Sequence, residues 1–258
     1  MKIGIDIGAT KIRVGEVFDG KVGRVFEEKT ERKDIPSQVI RLINKFNYSK
    51  IDGIGIGIAG QIEPREGTII FSPNIRIRNL KLGSILKERL ETPISIDNDC
   101  RCQTLGEYKY GAGKGKNTLI GVFIGTGIGG GIIIDGKLVH GHSFMASEIG
   151  HMVIDIDGPL CGCGRKGCFE ALAGGIYLKK TRKTNDELGR IIGIGVTNLA
   201  NIINPECVVL GGGVIDGIPE LVDIVKTVVY NETFSPPDIQ KAILGKNSGI
   251  IGAVCLLE

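Results

Sequence analysis

The segment IGIDIGATKIRVGEV, residues Ile3–Val17, is the most informative about the fold because a closely similar segment, IGVFIGTGIGGGIII, recurs at Ile120–Ile134. Each segment reads as an apolar strand, a turn of small residues and a second apolar strand. The likeness of the two segments indicates an internal duplication. We therefore expect two lobes that each begin with such a hairpin.

The residues around the first hairpin predict a lobe that mixes strands and helices. Short glycine-bearing turns separate three predicted antiparallel strands, Lys2–Ile7, Ile12–Phe18 and Lys21–Lys29. Apolar residues at helical spacing follow Asp34, a candidate helix N-cap, and the apolar run Ile51–Ala59 is typical of a buried strand. A helix that crosses over between strands indicates an α/β lobe.

Length and the order of the motifs predict how the chain is divided. A chain of 258 residues can bury one large core or two of ordinary size. We expect a small N-terminal α/β lobe over residues 1–112 and a larger α/β lobe over residues 113–244, with a metal-binding loop at 151–168. A helix over residues 245–258 is expected to pack back on the N-terminal lobe.

Composition argues against several classes of partner. The net charge is +3 and the positive charges are dispersed, which does not support binding to nucleic acid. No window approaches the roughly eighteen apolar residues of a membrane span, so we expect no membrane contact. Seven cysteines without a visible pairing pattern favour a reducing, cytoplasmic location.

One histidine and three cysteines form a pattern typical of a metal site. His151 precedes Cys161, Cys163 and Cys168, and the spacers between the cysteines are rich in glycine. One imidazole and three thiolates suit tetrahedral Zn²⁺ and leave no position open for water, which indicates a structural metal. The alternative is a surface group of cysteines beside an exposed histidine.

The turn after the first strand is a candidate phosphate-binding turn. Asp6 ends the strand, and Gly8, Thr10 and Lys11 follow it. Backbone N–H groups in such a turn can hold phosphate oxygens while the carboxylate orients Mg²⁺ through water. The alternative is an ordinary tight hairpin in which Gly8 only supplies the turn conformation.

Two further glycine turns extend this pattern. One follows the first strand of the second hairpin and has more glycine than a hairpin needs, which favours a phosphate-binding turn. The other follows an apolar strand, where a nucleotide could approach the backbone, although a simple strand-to-helix turn explains it nearly as well. Their candidate contact residues are Gly125, Thr126 and Gly127 in the first and Gly211, Gly212 and Gly213 in the second.

Asn98 and Asp99 lie where a predicted strand meets a predicted helix. Asp99 could accept the proton of an alcohol nucleophile, and Asn98 could hydrogen-bond a neighbouring hydroxyl. Asn and Asp are also preferred helix N-caps, and for this pair alone capping is the stronger interpretation. The phosphate-binding turns elsewhere in the chain favour the catalytic one.

Six motifs occur in order along the chain. They are Asp6-x-Gly8-x-Thr10-Lys11, Asn98-Asp99 with Gly106-Glu107, Gly125-Thr126-Gly127-x-Gly129-Gly130-Gly131, Glu148-Ile149-Gly150-His151, Cys161-x-Cys163-Gly164-x-x-Gly167-Cys168-x-Glu170 and Gly211-Gly212-Gly213. Together they resemble the ROK family of sugar kinases and sugar-responsive repressors. The resemblance implies a two-lobed actin/hexokinase-like ATPase fold of duplicated ribonuclease-H-like lobes, frequent homodimers, and phosphorylation of a hexose or hexosamine hydroxyl by ATP and Mg²⁺. The expected acceptor is a glucose-like sugar at its 6-hydroxyl.

The resemblance also implies roles for the matching residues, with Asp99 as the general base. A structural Zn²⁺ would be bound by His151, Cys161, Cys163 and Cys168. The sugar contacts would be Gly60, Asn74, Asn98, Asp99, Glu148, His151 and Glu170. The ATP and Mg²⁺ contacts would be Asp6, Gly8, Thr10, Lys11, Gly125, Thr126, Gly127, Gly211, Gly212 and Gly213.

Two of the chain's departures from the family pattern bear on its function. Arg101 stands where the family shows small residues and another Asn, and the connection Ile176–Glu187 is shorter than the helical stretch that relatives insert. Two alternatives to an ATP-dependent kinase therefore stay open: a sugar-binding sensor with weak turnover, and a kinase that uses polyphosphate. A repressor is disfavoured because the sequence begins at the phosphate-binding turn rather than with a DNA-binding helix-turn-helix.

Overall fold

The computed structural model describes residues 1–258 and divides them into two units. The first unit contains Met1–Tyr110, His140–Ala146 and Lys246–Glu258, and the second contains Gly111–Val139 and Ser147–Gly245. No helix combines the length and the apolar composition that a membrane crossing requires.

Eight strands and three helices occupy residues 1–110. The strands are β1 (Lys2–Ile7), β2 (Lys11–Phe18), β3 (Lys21–Lys29), β4 (Gly53–Ile58), β5 (Gln61–Glu63), β6 (Thr68–Ser72), β7 (Ile77–Leu80) and β8 (Ile94–Asn98). The helices are α1 (Ile35–Asn44), α2 (Leu82–Arg89) and α3 (Asp99–Tyr110). The bounds of the predicted elements agree with the observed ones to within two residues. The small sheet β5-β6-β7 was not predicted, because its strands are too short to show a clear alternation of apolar and polar residues.

The main sheet of the first unit has the order β3-β2-β1-β4-β8. β1 is antiparallel to β2 and parallel to β4, which is in turn parallel to β8. Because side chains alternate along a strand, β4 (GIGIGI) presents isoleucine on one face and glycine on the other. The isoleucine face forms a core with Val39 and Leu42 of α1 and with Leu86 of α2.

The rest of the chain contains five strands and six helices. The strands are β9 (Leu119–Ile124), β10 (Ile128–Ile134), β11 (Lys137–Leu138), β12 (Cys207–Gly211) and β13 (Asp238–Lys241). The helices are α4 (Phe169–Ala173), α5 (Gly175–Leu178), α6 (Asn185–Ile203), α7 (Gly213–Gly217), α8 (Leu221–Glu232) and α9 (Ser248–Cys255). A short 3₁₀ turn, Ile149–His151, precedes the cysteine-bearing loop.

The sheet of the second unit repeats the order of the first, as β11-β10-β9-β12-β13. Here β9 takes the place of β1: it is antiparallel to β10 and parallel to β12, and β12 is parallel to β13. The two hairpins that resemble each other in sequence therefore occupy equivalent positions in two sheets of the same topology. The expected α/β class and the internal duplication are confirmed.

Helix α9 covers the glycine face of the first sheet and returns the end of the chain to the first unit. A Cβ on Gly4 of β1 would overlap the carbonyl of Ile250, and a Cβ on Gly55 of β4 would overlap the carbonyl of Ala253. Gly252 of α9 in turn lies against the carbonyl of Cys102 in α3. Only glycine permits backbone to approach backbone this closely, so the glycines determine where α9 packs.

The segment His140–Ala146 is a correction to the predicted division, which placed it in the second lobe. It belongs to the first unit. The physical reason is a set of polar contacts: the ring of His140 lies against the carboxylate of Asp97, and the carbonyl of Phe144 accepts a hydrogen bond from Arg101. The sequence pattern gives no sign of these long-range contacts.

Candidate active site

Asn98 and Asp99 occupy the junction between β8 and α3 in the first unit. The side-chain oxygen of Asn98 accepts hydrogen bonds from the N–H groups of Cys100 (2.9 Å) and Arg101 (3.1 Å), so it caps the helix. Its amide nitrogen donates to the carbonyl of Gly60 (3.1 Å). Capping and a functional role are thus compatible, because these bonds fix the direction in which the neighbouring Asp99 is presented.

The carboxylate of Asp97 is hydrogen-bonded to this junction. Sequence analysis predicted no role for Asp97. Its Oδ1 accepts from the N–H of Asn98 and from Nε of Arg101, both at 2.7 Å, and its Oδ2 lies 2.7 Å from Nε2 of His140. Burial opposes ionisation of Asp97, but the hydrogen bond with His140 and the charge of Arg101 outweigh it, and the pKa of Asp97 is lowered. Arg101 is therefore a buried structural partner of Asp97.

The two other predicted sugar contacts of the first unit differ in their surroundings. Gly60 lies in the turn after β4 with φ of +135°, a conformation that favours glycine, and its carbonyl is held by Asn98. Asn74 is exposed in the turn between β6 and β7. The hydroxyl of Ser72, at the end of β6, donates to the carbonyl of Ala59 and ties this turn to the end of β4.

Asp6, at the end of β1, has an electrostatic environment that suits a cation. Burial is the largest cause that raises the pKa of Asp6 to about 6, and the negative charge of Asp99 adds to it, while Arg13 and Lys11 act in the opposite direction. The two carboxylates are thus close enough to repel each other. A Mg²⁺ ion held by Asp6 would relieve both the desolvation and the repulsion.

A backbone hydrogen bond and an ion pair hold the turn after β1 in place. The N–H of Gly8 donates to the carbonyl of Lys11 at 2.9 Å, as in an ordinary hairpin turn. The ammonium of Lys11 pairs with Glu27 on β3 at 3.1 Å. Thr10 is exposed, and its carbonyl accepts from the N–H of Thr30. These contacts are those of an ordinary hairpin turn, and the phosphate-binding role of the turn stays a prediction.

In the second unit, the turn between β9 and β10 lies against α4. The N–H of Gly125 donates to the carbonyl of Gly127, and Glu170 of α4 accepts from the N–H of Ile128, both at 2.9 Å. A Cβ on Gly127 would overlap the Glu170 carboxylate, so a larger residue there would displace that side chain. Thr126 lies between these two fixed glycines.

The third glycine turn joins β12 to α7. Gly211 ends the strand, and Gly212 has φ of +91°, where a Cβ would overlap the backbone of Ile124. Gly213 begins the helix, and a Cβ built on it would contact nothing within 4 Å. The strand-to-helix turn is therefore present in the structure. The open space around Gly213 leaves the backbone of Gly213 accessible to a ligand.

The four predicted zinc ligands converge in the second unit. The ligand atoms of His151, Cys161, Cys163 and Cys168 all lie within 4.8 Å of one another. Nδ1 of His151 is 3.8 Å from the sulfur of Cys161, and the sulfurs of Cys163 and Cys168 are 3.6 Å apart. A tetrahedron with Zn–S bonds of about 2.3 Å has edges of about 3.8 Å, so the spacing fits Zn²⁺.

The surroundings of the cysteines act differently on two of the thiols: hydrogen bonds favour the thiolate form of Cys163, whereas burial raises the pKa of the Cys168 thiol to about 12. The backbone N–H of Arg165 is the largest cause that lowers the pKa of the Cys163 thiol, to about 6. The other three ligand residues are partly or fully buried. The donor set is therefore chemically suited to a closed, structural zinc site.

The predicted sugar contacts of the second unit lie around this cluster. His151 turns Nδ1 towards Cys161, which leaves Nε2 for another partner. An oxygen of Glu170 lies 3.9 Å from the same sulfur. Glu148 is exposed, and its carbonyl accepts from the N–H of His151. The metal site would thus orient two potential hydroxyl-binding side chains, His151 and Glu170.

Comparison with known proteins gives the family. The ROK family model matches residues 2–188 and 178–258. A glucokinase of Streptomyces coelicolor is 31% identical over 99% of this chain and 97% of its own length, and a xylose repressor of Bacillus spizizenii is 32% identical over 78% of this chain and 59% of its own. The crystal structure of a ROK family glucokinase from Streptomyces griseus, in complex with glucose and AMPPNP, has a TM-score of 0.86 at 29% identity, covering 99% of this chain and 98% of that one. The chain belongs to the ROK family.

Proposed function

We propose that this protein is an ATP-dependent sugar kinase whose acceptor is glucose or a closely related hexose at its 6-hydroxyl. The glucokinase of similar sequence and the glucose and AMPPNP complex of similar fold support this proposal. The observation that carries it is the placement of two carboxylates at one end of the first sheet: Asp6 pairs with Gly57 of β4, and the Cα of Asp99 lies 3.5 Å from a Cβ built on Gly57. One carboxylate suits Mg²⁺, and the other is positioned as a base.

Asp99 is proposed to accept the proton of the attacking hydroxyl. As the sugar oxygen bonds to the γ-phosphorus, the bond from that phosphorus to the bridging oxygen of ADP breaks, and the hydroxyl proton passes to the Asp99 carboxylate. The bonds from Asn98 to Gly60 and to the first turn of α3 hold Asp99 in place. Orientation of the reacting groups accounts for a large part of such catalysis.

Mg²⁺ and Zn²⁺ have separate proposed roles. Mg²⁺ neutralises phosphate charge, and Asp6 would hold it from the turn that also contains Gly8, Thr10 and Lys11. In the second unit, Gly125, Thr126 and Gly127 are proposed as phosphate contacts, and Gly211, Gly212 and Gly213 as nucleotide contacts. Zn²⁺ on His151, Cys161, Cys163 and Cys168 would order the loop and take no part in the reaction.

The sugar contacts are proposed for each unit separately. In the first unit they are Gly60, Asn74, Asn98 and Asp99, and in the second they are Glu148, His151 and Glu170. Carboxylates, amides and a neutral imidazole nitrogen are suited to hydroxyl groups because each can accept or donate a hydrogen bond. We also propose that the protein is a homodimer, which light scattering would test.

A coupled assay tests the function directly. Purified protein would be offered glucose, mannose and N-acetylglucosamine, each with ATP, GTP or inorganic polyphosphate and Mg²⁺. We expect ADP and sugar 6-phosphate in equal amounts with glucose and ATP, and the position of phosphorylation follows from NMR of the product. Absence of phosphorylated sugar with every donor, in protein that retains its zinc, would contradict the proposal.

A sugar-binding protein without turnover is the second candidate, because the xylose repressor matches most of this chain. The structure weakens one reason for it: Arg101, the departure next to Asp99, is 3% exposed and bonded to Asp97. Calorimetry separates the two candidates. Glucose binding without consumption of any donor would favour the binding protein.

A further inference from the structure

Tyr177 connects the zinc loop to another part of the second unit. It lies in α5, and its hydroxyl accepts a hydrogen bond from the N–H of Gly162 at 2.7 Å. Gly162 stands between the zinc ligands Cys161 and Cys163. The ring of Tyr177 packs against the buried cluster formed by Cys161, Cys168 and Ala171.

The same hydroxyl lies beside a zinc ligand. The ring of Tyr177 packs on the buried group that contains the Cys161 sulfur, and its hydroxyl is bonded to the backbone of the residue after Cys161. Hydrogen bonds around a metal site help to orient the ligands.

The start of α5 is bonded to the turn between β9 and β10. The N–H of Gly175 donates to the carbonyl of Gly125, and the N–H of Ile176 donates to the carbonyl of Thr126, both at 2.9 Å. Tyr177 is the next residue in the chain. One turn of helix therefore contacts the candidate phosphate-binding turn with its backbone and the zinc loop with a side chain.

We propose that Tyr177 is a positioning residue that couples the zinc loop to the phosphate-binding turn, so that an ordered zinc site increases affinity for the nucleotide. The proposal depends on one part of the proposed function, namely that the turn at Gly125–Gly127 binds nucleotide phosphates. The N–H of Gly162, which lies between the ligands Cys161 and Cys163, holds the Tyr177 hydroxyl, and α5 transmits that order to the carbonyls of Gly125 and Thr126. By thermodynamic linkage, bound nucleotide must increase the affinity of the protein for Zn²⁺ by the same factor.

The test compares Tyr177→Phe, which removes only the hydroxyl, with Tyr230→Phe, an exposed tyrosine on α8 of the same unit. Calorimetry would measure the Kd of AMPPNP and of glucose for zinc-loaded protein, and metal analysis would confirm the zinc. Loss of one net hydrogen bond predicts that Tyr177→Phe weakens AMPPNP binding about three- to tenfold. Glucose affinity should change less than twofold, and Tyr230→Phe should match the wild type in both.

A second measurement follows zinc release to a chelator. In the wild type, saturating AMPPNP should slow the release, and in Tyr177→Phe the nucleotide should have little effect on it. Equal AMPPNP affinity in wild type and Tyr177→Phe, or zinc release that AMPPNP slows equally in both, would overturn the coupling. A wild type that binds glucose but no AMPPNP would instead count against the ATP-dependent function itself, so the two failures are distinguishable.

Discussion

Asp97 and Arg101 form an ion pair that is almost closed to solvent. Their side chains are 1% and 3% exposed, and Nε of Arg101 lies 2.7 Å from Oδ1 of Asp97. Nη2 is 2.6 Å from the same oxygen, but its orientation makes this an ionic contact without a hydrogen bond. Since Oδ1 also accepts from the N–H of Asn98, the pair supports the junction that presents Asp99.

Arg101→Met should destabilise the protein strongly. The substitution keeps an unbranched side chain but removes the guanidinium that is paired with the buried Asp97 carboxylate, and loss of one member of a buried pair costs about 3–5 kcal/mol. Lys116→Met, in the more exposed pair with Asp238, should cost less than about 1 kcal/mol. Urea unfolding measures both free energies. Similar small losses in the two variants would show that the Asp97–Arg101 pair contributes little.

Asp99→Asn should abolish most turnover while sugar affinity is retained. The amide preserves the shape of the side chain but accepts no proton, and loss of a general base reduces kcat by at least about a hundredfold. The control is Asp186→Asn, an exposed carboxylate in the first turn of α6, which should keep normal kcat. Near-normal kcat in Asp99→Asn would rule out Asp99 as the base.

Asp6 should make activity and stability depend on pH in opposite directions. Its pKa in the folded protein is about 6 against an ordinary 3.8, so the folded state binds this proton more tightly than the unfolded state. The stabilising contribution is fully present below pH 3.8 and is lost as pH rises through 6. The value of kcat/KM, which reports the free enzyme, should fall about tenfold per pH unit below pH 6, because protonated Asp6 binds a cation poorly.

The variant Asp6→Asn separates these effects. Urea titrations would measure the free energy of unfolding of the wild type and of Asp6→Asn at each pH. The wild-type value minus the Asp6→Asn value should decrease between pH 4 and pH 7. Asp99→Asn removes a charge that raises the Asp6 pKa, so it should move the midpoint of that decrease to lower pH. A difference that is constant with pH would show that Asp6 titrates normally.

Cys163→Ala should release the zinc and loosen the second unit. With one thiolate missing, the tetrahedral set is incomplete, and metal analysis should fall from about one zinc per chain to well below that. If ordering of the loop contributes about 2 kcal/mol, the thermal midpoint should drop by about 4–8 °C. Cys207→Ala, a buried cysteine of β12 outside the cluster, should retain the full zinc content. Full zinc in Cys163→Ala would exclude this site.

Gly252→Ala should disrupt the packing of α9 on α3. Its added methyl group would overlap the carbonyl of Cys102, and backbone cannot give way as a flexible side chain can, so we expect a loss of about 1–3 kcal/mol or more. Gly217→Ala, at the end of α7 with open space around its Cα, should be neutral or stabilising by up to about 1 kcal/mol. Equal stability of the two variants would contradict the close packing.

Local patterns in the sequence were sufficient for much of the fold. The repeated hairpins Ile3–Val17 and Ile120–Ile134 predicted two equivalent sheets, because strand alternation and glycine turns are properties of neighbouring residues. The zinc cluster was predictable for a similar reason: three of its four ligands lie within eight residues, Cys161–Cys168, and His151 is close by. The assignment of Asn98, Asp99 and the glycine turns to a sugar kinase depended on family resemblance.

Only the tertiary structure decided the contacts between residues far apart in sequence. It brought His140 to Asp97, turned Arg101 into the interior, and placed the Tyr177 hydroxyl on the backbone of Gly162. A buried ion pair or a tyrosine hydrogen bond has no fixed spacing along the chain, since its partners are chosen by the packing of separate elements. The sequence by itself therefore determined the two repeated hairpins and the candidate metal ligands, whereas the packing determined how the Asn98–Asp99 junction and the cysteine-bearing loop are held.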